Sequence, residues 1–434
     1  MSVNEKNGAA RQYLNTVCAQ LRWKRAREIV EYELEGHLLD QQQAYISEGM
    51  EPSAAEAEAV RQMGDPVEVG AQLDAVHRPA PPWAMFGIFA ALLLSGLLMR
   101  VLVTEVGQRS LFNQLFLLFI GAAAMLGVYF ADFSILGKYP RHIAGTLVGA
   151  QLLSLILFSR PDGNPSVTQY LLMLSPVALA GLIFNARNSG RKGALWCCGA
   201  FAAYSLLAVA DGFWSGIIAV MLPCLLLMVY GSRRGYFGRH RLLTLVLGCG
   251  ATVFSLVLTL LLCVSPTKSN ILARILDPMS DPQGFGWLPL RVRELLDGAQ
   301  FIGLAEGAQQ VCNIPKNDYI LTWTIHRTGW LSLVVILVLF CALLGAGIIF
   351  CRRQRSVLGG LASRAVLPVL ALQTVFYIAA NLGLGFMTLV PYTLPFFSGS
   401  ALSMVFNSAL VGLMLSALRS DSVIRDSYTE VAAA

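Results

Sequence analysis

Asp318 stands in the run Asn317-Asp318-Tyr319-Ile320-Leu321, at the mouth of an apolar stretch, and closes a segment dense in charge. From Arg274 to Gly329 that segment also holds Asp277, Asp281, Arg291, Arg293, Glu294, Asp297, Glu306, Lys316 and Arg327, with Trp287 and Trp323 among them. Cations beside a carboxylate suit a site that grips an anionic, lipid-linked head group while one group moves a proton. Arginine forks onto pyrophosphate oxygens, and a carboxylate serves as general base. A solvated external loop with ordinary ion pairs fits the same residues, and on residue chemistry alone it is the stronger of the two. Asp277, Asp281 and Asp318 could gather a divalent cation near a pyrophosphate, yet nothing in their spacing demands one; no cofactor is expected, and dependence on a divalent cation stays open. His326, about two helical turns beyond Asp318, could relay its proton; a histidine at a membrane interface is the plainer reading. Trp287, Trp323 and Trp330 offer a sugar-stacking surface or, more commonly, an aromatic belt.

The elements that must position these residues are membrane helices. The 434 residues are 56% hydrophobic and 13% charged, with a mean hydropathy of +0.60, against roughly 25% charged residues in soluble domains. Apolar windows that can cross a hydrocarbon core of about 30 Å fall near 83–103, 111–131, 140–158, 168–186, 193–210, 213–231, 242–264, 329–351, 365–389 and 395–418. The expected fold class is therefore all-α, a polytopic membrane protein with about ten transmembrane helices. With the N-terminus inside, inner loops carry Lys138, Arg141, Arg187, Arg191, Lys192, Arg233, Arg234, Arg239, Arg241, Arg352, Arg353, Arg355 and Arg364, whereas outer short loops carry only Arg109 and Arg160. This bias places both termini in the cytoplasm and the Asp318 loop outside. The net charge of +6 is a topology signal, and nucleic acid is not an expected partner. Nine cysteines show no ligand spacing and read as small packing residues; Cys312 alone is expected outside. No cleavable signal peptide is expected ahead of the first span.

Residues 1–78 read as a separate cytoplasmic unit, in which 8 Lys/Arg against 13 Asp/Glu give −5. Val30, Leu34, Leu38 and Tyr45 recur at helical spacing within Arg25–Glu48, Pro52 suits the first turn of a second helix, and Asp65-Pro66-Val67-Glu68 opens a third. Through Glu33-Leu34-Glu35-Gly36-His37-Leu38-Leu39-Asp40 and Met63-Gly64-Asp65-Pro66, the unit resembles the helical prefix domain found ahead of some bacterial permeases. It is an interaction or sensing module, or a solubilising cap. Residues 79–82 form a stiff linker, 83–420 the membrane domain with a large external loop at 265–328, and 421–434 a cytoplasmic tail.

Arg274-Ile275-Leu276-Asp277-Pro278, Asp281-Pro282-Gln283-Gly284-Phe285-Gly286-Trp287, Gly303 and Asn317-Asp318-Tyr319-Ile320-Leu321, followed by Gly329-Trp330-Leu331, resemble the large external loop of the SEDS family, the FtsW, RodA and SpoVE group. Asn381-Leu382-Gly383-Leu384-Gly385, Pro391-Tyr392-Thr393-Leu394-Pro395-Phe396-Phe397-Ser398-Gly399-Ser400 and Gly412-Leu413 are similar to that family's last two spans. The resemblance implies polymerisation of lipid II, the lipid-linked peptidoglycan precursor, during division, elongation or sporulation. Asp318 would be the catalytic base. Arg274, Lys316, Arg291 and Arg293 would bind the substrate with Trp287, and the partner would be a class B penicillin-binding protein in the bacterial cell membrane.

The chain also departs from the family pattern. Ser175-Pro176-Val177-Ala178-Leu179-Ala180-Gly181 replaces a Pro-Ser-Glu motif with its following lysine, His326-Arg327-Thr328-Gly329 replaces a Glu-Glu-Leu-Gly run, and Leu288 replaces a glutamine. Asp211 reads as a plain turn residue. These losses keep two other readings open, a non-catalytic scaffold or regulator and a flippase or transporter. For a transporter no internal repeat is visible, although Gly383–Gly385 and Pro391–Pro395 could form a helix break. Gln151, Ser154, Asn381 and Asn407 are expected to make interhelical hydrogen bonds.

Overall fold

The computed structural model describes residues 8–77, 81–103, 108–131, 133–158, 167–187, 189–211, 214–238, 241–263, 282–283, 286–305, 314–384, 394–397 and 399–419. Among them every regular element is a helix. The chain divides into two compact units, one of Met1–Pro81 with the stretch from Arg419, the other Pro82–Leu418.

The smaller unit is built from α1 (Ala9–Gln20), α2 (Lys24–Ser47), α3 (Pro52–Gln62) and α4 (Pro66–His77). The three expected helices are α2 to α4. The addition is α1, whose Tyr13, Leu14 and Val17, with Leu21 just beyond, pack against Val30, Leu34, Leu38 and Ala59 to form the core. Tyr45 is only partly buried against it. Asp65 Oδ1 accepts the Val67 N–H at 2.7 Å, the N-cap bond that its position before Pro66 calls for. The acidic excess has a local use: Glu56 Oε1 accepts from Ala10 N–H at 2.9 Å and Asp74 Oδ1 from Arg22 N–H at 2.8 Å, fastening both ends of α1.

The larger unit comprises α5 (Trp83–Val103), α6 (Gln108–Phe130), the short α7 (Ile135–Lys138), α8 (Pro140–Phe158), α9 (Val167–Met173), α10 (Ser175–Ala186), α11 (Gly190–Asp211), α12 (Trp214–Arg233), α13 (Arg241–Cys263), α14 (Trp287–Leu296), α15 (Ile320–Thr328), α16 (Leu331–Arg353), α17 (Val357–Asn381) and α18 (Ala401–Arg419). Among the described residues seven helices are long and apolar enough to cross a membrane, α9 and α10 together making one of them; Ile218–Arg233 and Leu242–Leu258 are shorter apolar runs within α12 and α13. With α8, these occupy all ten expected positions, and the unit is a multi-pass membrane protein.

Two spans differ from the sequence expectation. The ninth span is Val357–Asn381 rather than 365–389, and the tenth is Ala401–Arg419 rather than 395–418. Ser356 starts α17 early, its hydroxyl accepting from Gly359 N–H at 3.3 Å, so Arg364 lies inside the helix instead of in an inner loop. Gly383, at φ +71°, then turns the chain out of the helix, a conformation open to glycine.

The core lies around the α9–α10 run, 83% buried, whereas α6 is 17% buried and turns a Leu/Phe face outward to lipid. Against α10 pack α8, α11, α12 and α17. Without a hydrophobic drive between helices in lipid, close contact depends on small residues and interhelical hydrogen bonds. Gln151 on α8 donates to Ser175 Oγ at 3.0 Å and to Leu171 O at 3.2 Å, and Ser154 meets Thr168 at 2.8 Å. Asn407 instead donates within its own helix, to Ser403. A Cβ added at Gly412 on α18 would lie 2.5 Å from the Met125 carbonyl oxygen of α6, whereas one at Gly127 would meet nothing within 4 Å. Gly412→Ala should therefore cost about 1–3 kcal/mol and Gly127→Ala almost nothing, as read from thermal unfolding in detergent.

Candidate functional site

Helix α15 begins two residues after Asp318, and its first turn exposes backbone N–H groups that need acceptors. An Asp or Asn just before a helix ordinarily supplies one, but no side chain at this N-terminus does. The acceptors come from α17. Asn381 Oδ1 accepts from Thr322 N–H at 3.1 Å, and the Thr322 hydroxyl reaches the Asn381 carbonyl at 2.8 Å and Oδ1 at 3.0 Å. Tyr377, one turn back, takes the Leu321 N–H on its hydroxyl oxygen at 3.4 Å. All four residues, Tyr377, Asn381, Leu321 and Thr322, are buried.

Because α17 caps α15, the Asp318 carboxylate is not spent on its own helix. Among the described residues it has neither a hydrogen-bond nor an ion-pair partner. Half-buried and unpaired, it is pushed by burial above the ordinary carboxylate range. The adjoining Tyr319 phenol is also raised, by burial first and the Asp318 charge second.

The chain before Asp318 is held by α14, through a cluster of Val292 and Leu295 with Ile314 and Tyr319, on which Leu288 and Trp323 also pack. Val292 is fully buried, so its neighbours Arg291 and Arg293 point away from the cluster. Arg291 pairs with Glu294 at 2.5 Å. Arg293 donates through Nε to the Gly383 carbonyl at 3.0 Å, and a Cβ at Gly383 would press on the Arg293 side chain at 2.8 Å. Lys316 lies 5.6 Å over the Trp323 ring, and Trp287 opens α14 in an exposed position. Arg274, Asp277, Asp281, Glu306, Cys312 and Pro391–Thr393 lie outside the described residues, as do the linker residues 79–80 and the tail. Among those described, no three His, Cys, Asp or Glu side chains come together.

His326 is buried, with Nδ1 3.1 Å from the Leu295 carbonyl and its ring edge-on to Trp323. It ties α15 to α14, and no contact joins it to Asp318. Leu288, at the position of the family's glutamine, is packing. Val177 through Leu182 at the start of α10 are all buried.

Arg100, which the sequence reading passed over, completes the surroundings. It is 1% exposed in α5, donates from Nε to Gln114 Oε1 at 2.6 Å and from Nη1 to the Phe396 carbonyl at 3.1 Å. Its signal was legible: a charge inside a 21-residue apolar run is costly and seldom kept without use. Phe396 has φ +72°, uncommon for a residue with a side chain, and its ring packs edge-on against Phe89. Three residues on, Gly399 lies against Asn317, whose Oδ1 would be 3.4 Å from an added Cβ. Arg327 donates to the Leu102 carbonyl, so α5 holds both the chain around Phe396 and the far end of α15.

Among solved structures the chain is similar to a peptidoglycan synthase complex described for its structural coordination of polymerization and crosslinking, at 20% identity and a TM-score of 0.56 over 79% of this chain and 98% of that one. It is also similar to the rod shape determining protein RodA of Thermus thermophilus and to an aspartate-to-alanine mutant of it, each at 16% identity and 0.54 over the same shares. The chain has the SEDS fold. The matched share is close to that of the Pro82–Leu418 unit. No family model and no curated protein matches the chain.

Within this SEDS fold the capping of α15 is testable. Asn381→Leu should unpair the Thr322 N–H, leaving its hydroxyl on the backbone carbonyl of residue 381, and cost about 1–3 kcal/mol, lowering the thermal transition in detergent. Tyr377→Phe, which removes one long bond, should cost less than half as much.

Proposed function

We propose that this protein is a divergent peptidoglycan glycosyltransferase that polymerises lipid II, with Asp318 as its general base. The observation that carries the reading is a half-buried carboxylate with no protein partner and a raised pKa, fixed at the N-terminus of α15 within a SEDS fold. In the reaction Asp318 takes the proton of the acceptor sugar hydroxyl, whose oxygen bonds to the donor's anomeric carbon. The bond from that carbon to the pyrophosphate oxygen breaks, and undecaprenyl pyrophosphate leaves. Such a leaving group carries its own charge away, so one protein carboxylate suffices for the proton. Arg274, Lys316, Arg291 and Arg293 are the cations proposed to offset charge on the pyrophosphate, and Trp287 to border the sugar. Arg293 serves through its Nη donors, its Nε–H being already bonded to the Gly383 carbonyl. The positive-inside bias supports N- and C-termini in the cytoplasm of a bacterial cell and a site on the outer face. A class B penicillin-binding protein is the proposed partner, and residues 1–78 a cytoplasmic interaction or sensing unit.

One observation favours a second reading, a non-catalytic scaffold of cell-wall synthesis. Where the family pattern places charge in its fourth span, this chain has the buried apolar run Val177–Leu182.

Polymerisation of purified lipid-linked precursor by the solubilised protein, alone and with candidate penicillin-binding partners, separates the two. Wild type should form glycan and Asp318→Asn should lose at least ~100-fold, as expected for removal of a general base. Full activity in Asp318→Asn would sink the assignment, and no product from well-folded wild type with every partner would favour the scaffold. The base acts deprotonated and its pKa is raised, so kcat/KM should fall with decreasing pH through a midpoint above the ordinary carboxylate value. The same shift makes the ionised Asp318 a cost to folding at neutral pH, relieved as pH falls below its folded pKa. Asp318→Asn should accordingly melt no lower than wild type at pH 7.

A further inference from the structure

At the opposite end of the bundle from Asp318, α12, α16 and α17 leave a cleft of about 460 Å³, within the ~300–1,000 Å³ of ordinary ligand pockets. Its walls are apolar, and Leu226 and Ile348 at its rim are 48% and 46% exposed, so in a membrane it opens sideways into lipid. Its polar residues are Tyr230, Arg352 and Arg364. Arg364 stacks 4.2 Å over the Tyr230 ring and donates to the Gly360 carbonyl at 2.9 Å and the Cys351 carbonyl at 3.4 Å. These bonds use two of the five donors of a guanidinium. Arg352 is exposed and, among the described residues, has no protein partner. Neither 212–263 nor 330–381, the segments that contain the cleft-forming helices, holds an Asp or Glu. The counter-charge for these arginines must come from outside those segments.

We infer that this cleft is a binding site for an anionic glycerophospholipid of the surrounding leaflet, with an acyl chain along the apolar wall and the phosphate on Arg352 and Arg364. A guanidinium forks onto phosphate oxygens, and basic pockets between membrane helices recognise anionic head groups in this way. Charge complementarity selects the anionic lipid over a zwitterionic one, and the lateral opening selects a lipid over a soluble phosphate. A second cleft, between α8, α10 and α11, repeats the plan, with Lys192 at its edge and Arg141 5.5 Å over Trp196.

Native mass spectrometry of the full chain in detergent with equal phosphatidylglycerol and phosphatidylcholine tests this. Wild type should retain phosphatidylglycerol preferentially, and Arg352→Gln with Arg364→Gln should cut that preference on the order of tenfold. The pair Arg233→Gln and Arg353→Gln, which removes the same charge from residues outside the cleft, should leave it within about twofold. Ala371→Trp fills the cleft with all charges kept and should also reduce retention; it decides the matter if the double arginine variant melts early. Equal retention of the two lipids, equal loss in both double variants, full retention in Ala371→Trp, or preferential capture of a polyprenyl phosphate or of inorganic phosphate would each overturn the proposal.

Discussion

The first turn of α15 is capped from another helix, and the geometry around Asp318 depends on that exchange. Backbone N–H groups away from water must find acceptors, and the nearest ones in the chain are the side chains of Asn317 and Asp318 themselves. Had Asp318 capped the helix, the local problem would have been solved at the expense of a free carboxylate. Asn381 and Tyr377, spaced one turn apart on α17, reach the Thr322 and Leu321 donors instead. Asp318 is left half-buried without a partner. The unfavourable desolvation of that carboxylate is carried by the bonds that hold α15 beside it.

A second constraint runs through α5. Burying a guanidinium in a membrane segment is tolerable only if its donors are occupied, and Arg100 places two of them on Gln114 and on the Phe396 carbonyl. That carbonyl is presented by a residue in the left-handed region, which a lone side-chain-bearing residue adopts only when its surroundings enforce it. Gly96 leaves room for it, since a Cβ there would strike the same carbonyl oxygen. The Phe396 chain and the end of α15 are thus both referred to one helix, through Arg100 and through Arg327 on Leu102.

The departures from the family pattern share a direction. Leu288 and the residues Val177–Leu182 are packed apolar side chains, and His326 is a buried tie between α15 and α14. Packing stands at these positions where the family pattern has polar or charged residues, and Asp318 stands where that pattern has an aspartate. A protein that relies on one carboxylate and a charge-carrying leaving group can tolerate such losses. A scaffold can as well, and turnover distinguishes the two.

Ten apolar runs, the basic bias of alternate loops and the Asp-Pro-Val-Glu signal before α4 were legible from the chain alone, because span length, topology and capping are local properties set by a few consecutive residues. Asp318 was legible too, as a carboxylate in a charged segment beside an apolar run. What the sequence could not supply was the partner of each polar group. Nothing in the chain foretells that Arg293 rests on the Gly383 carbonyl; His326 could be a proton relay until it is found on Leu295, and Asn381 a polar residue bonding some neighbouring helix until it caps Thr322 some sixty residues away. The ends of α17 escaped for a related reason: hydropathy averages over a window, whereas the Ser356 cap and the Gly383 turn each act at one residue. Hydrogen-bond partners far apart in sequence are chosen by packing, and only the tertiary structure decides them.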